Sequence, residues 1–341
     1  MKIAQVSPLF ESVPPKGYGG TERVVSFLTE ELVRQGHEVT LFASGDSTTR
    51  ARLVATVDQS VRNSAFDQSW LAYHLIQLDQ VIGMSDDFDV IHFHTDFLQF
   101  PTLRNCGTPH LTTLHGRLDL SYLVPVYQHF RVPPLVSISD SQRTPLPWAN
   151  WVNTVYHGLP ANLYAYNEEP GDYFLFIGRI SPEKRVDRAI DIAVQCERPI
   201  YIAAKLNKSE EGYFKEVIKP RLRHPLVTYV GEVGETDKRE LLEHARALLF
   251  PIDWPEPFGL VMIEALSCGT PVIAYANGSV PEIIDDGVTG FVVSDLEEAV
   301  RAARRIESIS RQDCRSAFER RFTAPCMAAN YLDTYQRLLS Q

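Results

Sequence analysis

Short runs of apolar, often β-branched residues alternate along the chain with stretches whose apolar positions recur every three to four residues. That alternation predicts parallel sheets covered by helices. Lys2 to Ser7 opens as a strand. Thr21 to Gln35 follows as an amphipathic helix with Val24, Val25, Leu28 and Leu32 on one side. Gly36 ends it, and His37 to Ala43 is the next strand. Further strands are predicted at Val90 to Phe93, His110 to Leu114, Leu135 to Ile138 and Val152 to Tyr156, with a helix over Phe66 to Gly83. The stretch Pro160 to Asp172 carries Pro, Gly and acids without a period and reads as a linker. The pattern then restarts, with strands at Tyr173 to Ile177, Ile200 to Ala204, Val227 to Val230, Ala247 to Pro251, Pro271 to Ala274 and Phe291 to Val293. Helices are expected at Val186 to Gln195, Thr236 to His244, Leu260 to Cys268 and Leu296 to Ile306. A last amphipathic helix covers about Ala324 to Leu339. The expectation is an α/β protein of two Rossmann-like domains, over residues 1–160 and 161–323, with a terminal helix over 324–341. Open α/β sheets bind ligands beyond the carboxyl ends of their strands, so two such domains facing across a cleft suit a two-substrate reaction.

At 341 residues the chain is comfortable for two cores, and its 44% hydrophobic and 22% charged residues are ordinary for a globular protein. The five cysteines, Cys106, Cys196, Cys268, Cys314 and Cys326, form no Cys-x-x-Cys pair, which argues for a reducing compartment and against a zinc knuckle. The opening run is too short for a signal peptide, and no stretch reaches the roughly 20 apolar residues of a membrane span. A cytoplasmic location follows as the expectation, in solution or peripheral to a membrane. A net charge of −10 offers no field for nucleic acid. An anionic ligand must be gripped by a few placed cations and backbone amides.

The densest chemistry lies in Pro255-Glu256-Pro257-Phe258-Gly259-Leu260-Val261-Met262-Ile263-Glu264. Pro257 disfavours helix at Glu256 and Gly259 permits a tight turn, so Glu256 sits on a loop at a helix N-terminus and Glu264 about two turns inside. Paired carboxylates first suggest a glycoside hydrolase, whose pair stands roughly 5 to 9.5 Å apart. Eight residues of helix would separate these two by about 12 Å, which favours recognition of sugar hydroxyls by acceptor-only carboxylates. Two further strings are built for anions. Gly17-Tyr18-Gly19-Gly20-Thr21-Glu22 precedes the first helix, where bare amides await an anion. Its glycines begin too late after the strand for a dinucleotide fingerprint. Gly178-Arg179-Ile180-Ser181-Pro182-Glu183-Lys184-Arg185 brings a planar guanidinium and a lysine ammonium to a strand's carboxyl edge.

Glu256-x7-Glu264, Gly178-Arg179-x4-Lys184, the Gly19-Gly20 pair and Pro281-Glu282 together resemble the retaining nucleotide-sugar glycosyltransferases of family 4, which have the two-domain GT-B fold. The resemblance implies transfer of a hexose from a nucleotide diphosphate sugar to an acceptor hydroxyl, with UDP-glucose the expected donor. It implies that Arg179 and Lys184 hold the diphosphate and stabilise leaving-group charge. Gly19, Gly20 and the amides of Gly259 and Leu260 join them there. Glu264 takes the ribose hydroxyls, Glu256 the hexose hydroxyls, and the base lies by Val233. His115, in Thr113-Leu114-His115-Gly116, matches a family histidine that approaches the donor sugar. Glu282 supports the helix or donor loop, and the last helix packs back on the first domain. No cofactor and no metal is implied. The acceptor stays open between a small molecule, a glycan and a lipid-linked glycan, and monomer and homodimer are equally open. A 2-epimerase on the same fold, or a non-catalytic sugar-nucleotide binder, are the rival readings.

Other residues add less. His92 and His94 alternate on a strand and share one face; core or acceptor-side positions suit them better than a metal site, since no acid close in sequence completes one. His157 stands where family members often carry asparagine. Lys205 stands where many have a Gly-x-Gly turn, and either reaches the donor or is solvated. Asp285-Asp286-Gly287 and Asp86-Asp87 read as turns. No Gly-x-Ser-x-Gly elbow, His-Glu-x-x-His or Walker lysine is present.

Overall fold

The computed structural model describes residues 1–17, 19–63 and 69–340. They form two compact units, Met1–Pro160 with Thr323–Gln341, and Ala161–Phe322.

The first unit is built on β1 (Lys2–Val6), β2 (Glu38–Ala43), β3 (Arg52–Ala55), β4 (Val90–Phe93), β5 (His110–Thr113), β6 (Leu135–Ser137) and β7 (Trp151–Thr154). All pair in parallel, in the order β3-β2-β1-β4-β5-β6-β7. Strand order therefore reverses between β1 and β4, where Gln5 lies beside His92 and Val6 beside Phe93. Parallel strands are covered on both faces, which is why these read as continuous apolar runs. Ala4, Val6, Phe42, Ile91 and Phe93 pack with Leu78 and Val81 into the main cluster. Each fully buried large side chain there contributes roughly 1.5 to 3 kcal/mol.

The first helix, Gly20–Arg34, buries Val24, Val25, Leu28 and Leu32 and ends at Gly36, whose φ of 87° is left-handed. The predicted helix over Phe66 to Gly83 is described from Trp70 onward, and its opening residues lie outside the described ones. The final helix, Ala324–Leu339, starts on Thr323, whose hydroxyl accepts from the Cys326 amide. It is part of the first unit: Tyr335 reaches Gln5 and His92, Tyr331 reaches Thr113, and Thr334 reaches Asn153. The outgoing and returning segments lie side by side, Ala324 N donating to Leu159 O at 2.7 Å.

The second unit carries β8 (Phe174–Arg179), β9 (Ile200–Lys205), β10 (Val227–Gly231), β11 (Ala247–Phe250), β12 (Val272–Tyr275) and β13 (Gly290–Val293), again all parallel, ordered β10-β9-β8-β11-β12-β13. Its reversal falls between β8 and β11. Both units are thus doubly wound α/β sheets whose ligand positions are expected off the strand ends flanking the reversal.

Several elements were not anticipated, among them a strand and two helices. β3 is a half-exposed edge strand, Arg-Leu-Val-Ala, without alternation. The helix Leu123–His129 contains Pro125, and Arg311–Arg321 is so polar that only Cys314, Ala317, Phe318 and the charged Arg311 are buried. Arg311 spends its charge internally, donating to the carbonyls of Asn167, Ala245 and Glu243.

Candidate active site

In the second unit the strand order puts the end of β8 beside the loop that follows β11. Arg179 is the last residue of β8, half-buried, and among the described residues no carboxylate pairs with its guanidinium. The chain then turns, Lys184 N donating to Ser181 O at 3.1 Å, and enters the helix Val186–Gln195. The loop after β11 is tied to this turn by Asp253 N donating to Glu183 O at 2.8 Å. Lys184 and Glu256 are ion-paired, with both side chains largely buried. The ammonium also lies 4.9 Å from the Trp254 ring centroid and 5.5 Å from that of Phe250.

Gly259 caps the helix Leu260–Ser267 with φ 77°, and a side chain there would crowd Met262 and Phe250. This conformation frees the first amides of an eight-residue helix beside Glu256. The helix is buried almost all round, Glu264 included, at 4% exposure. Such a carboxylate needs a partner. Lys238, from the helix Glu235–His244, supplies it at 2.8 Å. Lys238 also approaches Glu235 at 3.4 Å, and Tyr164 Oη donates to Glu235 at 2.7 Å. Val233 is half-buried just past β10, whose Gly231 is left-handed at φ 79°. Lys205, at the end of β9, pairs with Glu232 at 3.3 Å, both well exposed.

The Glu256 loop is held from below by Asn277-Gly278-Ser279. Ser279 N donates to Glu256 O at 2.9 Å, Ser279 Oγ to Phe258 O at 2.9 Å, and Asn277 Nδ2 to Ile252 O at 2.8 Å. Gly278 has φ 59°, and a Cβ there would strike the backbone of Glu256. Glu282 follows, its carbonyl accepting from Arg321, which also donates to Asp285 at 2.9 Å. Asp285 to Gly290 form a turn, with Val288 N donating to Asp285 O.

In the first unit Gly20 starts the helix after β1. The close approach seen at Gly19 is to Pro15, whose ring a Cβ would meet at 2.7 Å; Tyr18 lies outside the described residues. Glu22, two residues into the helix, is buried near Glu11, which pairs with Arg62 at 3.0 Å. Burial, with Glu11 as a lesser cause, raises the Glu22 pKa to about 7.

His92 and His94 are core residues, their ring centroids 4.0 Å apart. His94 Nδ1 is 2.8 Å from His115 Nε2, and the His115 ring stacks on His157 at 5.3 Å. Burial lowers the His115 pKa to about 3. Burial and the neighbouring histidines push His92, His94 and His157 well below the ordinary value. All four rings are neutral near pH 7, which fits His115 for accepting or donating a hydrogen bond and not for carrying charge. Among the described residues, no group of three metal-binding side chains could hold an ion, and no helix is long and apolar enough to cross a membrane.

Sequence reading missed Lys238, Gly278 and the Tyr331–Tyr335 pair. A lysine on a polar helix carries no signal of a buried partner. Gly278 could have been suspected from Asn-Gly-Ser before the Pro-Glu element.

Two Rossmann-like units with a cation-and-carboxylate cluster at one strand reversal define the GT-B class of glycosyltransferase. Comparison agrees: residues 18–155 match the model described as Glycosyltransferase Family 4, and residues 166–322 match Glycosyl transferases group 1. The chain belongs to the glycosyltransferases of the family 4 type. It is 28% identical to an uncharacterized glycosyltransferase of Methanocaldococcus jannaschii, over 63% of this chain and 65% of that protein's length. It is similar to the crystal structure of AviGT4, a glycosyltransferase involved in avilamycin A biosynthesis, with a TM-score of 0.78 and 27% identity, over 100% of this chain and 98% of the other. The fold also matches Anabaena HepE in complex with UDP and glucose, with a TM-score of 0.75 and 18% identity, over 99% of this chain and 100% of that one.

Proposed function

We propose that the chain transfers glucose from UDP-glucose to an acceptor hydroxyl with retention of anomeric configuration. The observation that carries this is the placement of Arg179 at the end of β8, at the strand reversal of the second sheet, with the Lys184–Glu256 pair joining the two loops that follow β8 and β11 just ahead of the helix Leu260–Ser267. A sugar diphosphate has anionic oxygens next to a hydroxyl-rich ring. A cation beside a carboxylate matches that sequence of charges. Arg179, which no described carboxylate neutralises, grips a phosphate oxygen by its fork, and Lys184 and the helix amides stabilise charge on the departing diphosphate. Glu256 accepts from hexose hydroxyls, and Glu264, fixed by Lys238, accepts from ribose hydroxyls. No protein nucleophile is required: the acceptor attacks on the face from which the diphosphate leaves, and a phosphate oxygen assists its proton. Glucose and UDP are favoured by the likeness to HepE, whose complex contains both.

The test is a panel of UDP-, ADP- and GDP-linked sugars, followed by thermal shift and by slow diphosphate release without acceptor. UDP-glucose should give the largest shift and measurable hydrolysis, with the α-anomer as the first product. Absence of any shift or turnover across the panel refutes the assignment.

A further inference from the structure

We propose that Gln5 and His94 are positioning residues that hold His115 as the Nε2–H tautomer, leaving a bare Nδ1 that accepts a hydrogen bond from an uncharged sugar hydroxyl. The sugar part of this rests on the function proposed above; the tautomer does not.

One chain of hydrogen bonds runs through the first unit. Gln5 Oε1 lies 2.8 Å from His94 Nε2. A carbonyl oxygen only accepts, so His94 Nε2 carries the hydrogen. His94 is neutral, and its Nδ1 is therefore a lone pair. That lone pair is 2.8 Å from His115 Nε2, which must donate to it. Since His115 is also neutral, its hydrogen is on Nε2 and its Nδ1 is bare. Nδ1 is buried and no described residue bonds to it. A buried acceptor without a partner costs roughly 1 to 3 kcal/mol, so the site is arranged to meet a donor.

The other end of the chain sets its direction. Gln5 Nε2 donates to Tyr335 Oη at 3.1 Å, and the Tyr335 hydroxyl donates to His92 Nδ1 at 2.7 Å. His92 Nε2 then donates to Thr113 Oγ1 at 2.7 Å, and Thr113 to Tyr331 Oη at 2.9 Å. Each of these hydrogen bonds then pairs one donor with one acceptor. Turning the Gln5 amide over would reverse them all, so the tautomer of His115 reports the sense of the whole network. Stacking on His157, with ring planes 17° apart, holds the His115 ring in place. A bare ring nitrogen repels the lone pairs of phosphate and carboxylate oxygens. His115 is thereby suited to a neutral hexose and not to a hexuronate.

The experiment is long-range 1H–15N spectroscopy of the histidine rings in the full chain at pH 7, with His115 identified by its loss in His115→Phe. The expected spectrum shows His115 protonated at Nε2; protonation at Nδ1 in the parent protein overturns the proposal with no variant needed. In Gln5→Leu, with folding checked by circular dichroism, His115 should shift toward Nδ1–H; an unchanged Nε2–H tautomer removes Gln5 from the role. If that variant does not fold, the parent spectrum decides. For the hydroxyl, Gln5→Leu should raise KM for UDP-glucose about fivefold with kcat less affected. A shifted tautomer with unchanged KM would refute sugar contact by His115 while leaving the relay intact. Absence of all turnover would instead count against the proposed function.

Discussion

Glu22 offers a quantitative check on the first unit. It is 5% exposed near the second carboxylate of Glu11, and its pKa rises from the ordinary 4.5 to about 7, chiefly through burial. Each tenfold in proton affinity is about 1.4 kcal/mol, so keeping Glu22 ionised in the folded state costs of order 3 kcal/mol. Below about pH 4.5 the carboxyl is protonated in both folded and unfolded chains, and it contributes no pH dependence. Between about 4.5 and 7 the unfolded chain releases the proton while the folded one keeps it, so stability falls as pH rises. Above about 7 both are ionised and the full penalty persists. Glu22→Gln keeps the shape and removes the charge. Urea unfolding of both proteins at pH 5 and pH 8, followed for the first unit's transition, should leave them within about 1 kcal/mol at pH 5. At pH 8 the variant should be about 2 to 3 kcal/mol more stable. An equal difference at the two pH values would refute the assignment of a neutral buried carboxyl.

Three further outcomes follow from the second unit. Arg179→Ala loses a charge-assisted contact of roughly 1.5 to 3 kcal/mol, so kcat/KM for the donor should fall at least tenfold while the melting temperature barely moves; unchanged kinetics would exclude Arg179 from the site. Lys238→Met leaves Glu264 buried without its cation and should cost about 3 to 5 kcal/mol in urea unfolding. The double variant with Glu264→Gln should recover most of that loss, and equal costs for single and double would sever the pair. Gly278→Ala should abolish the thermal shift caused by UDP-glucose, because a Cβ displaces the Glu256 backbone. Gly287→Ala, also left-handed at φ 74° but with nothing within 4 Å of its Cβ, should keep the shift. Equal effects at both glycines would show that strain alone, and not the Glu256 contact, was being measured.

The fold was readable where period and burial agree. The helix Gly20–Arg34 and the central strands advertise themselves because each buries an apolar face or both faces. β3 was hidden because an edge strand with Arg52 and half-exposed Leu53 and Val54 has no alternation to detect. Within the second unit, Glu256 on its loop and Glu264 in its helix follow from Pro257 and Gly259 alone. What holds them does not: Lys238 lies 26 positions from Glu264, and Gly278 meets Glu256 only because β11 and β12 are neighbours. The shared face of His92 and His94 followed from strand geometry, but the Tyr335 that bonds His92 is more than two hundred residues away and has no local signature.

The polypeptide leaves the first unit at Pro160 and rejoins it at Thr323. During translation a ribosome must therefore finish everything from Ala161 to Phe322 before Tyr331 and Tyr335 emerge. At about 5 to 20 residues per second, the nascent histidine cluster waits roughly ten to thirty seconds for its lid of tyrosines. The discontinuous unit, begun first, is therefore completed last, and for that interval its histidine cluster stays unfinished and exposed to chaperones.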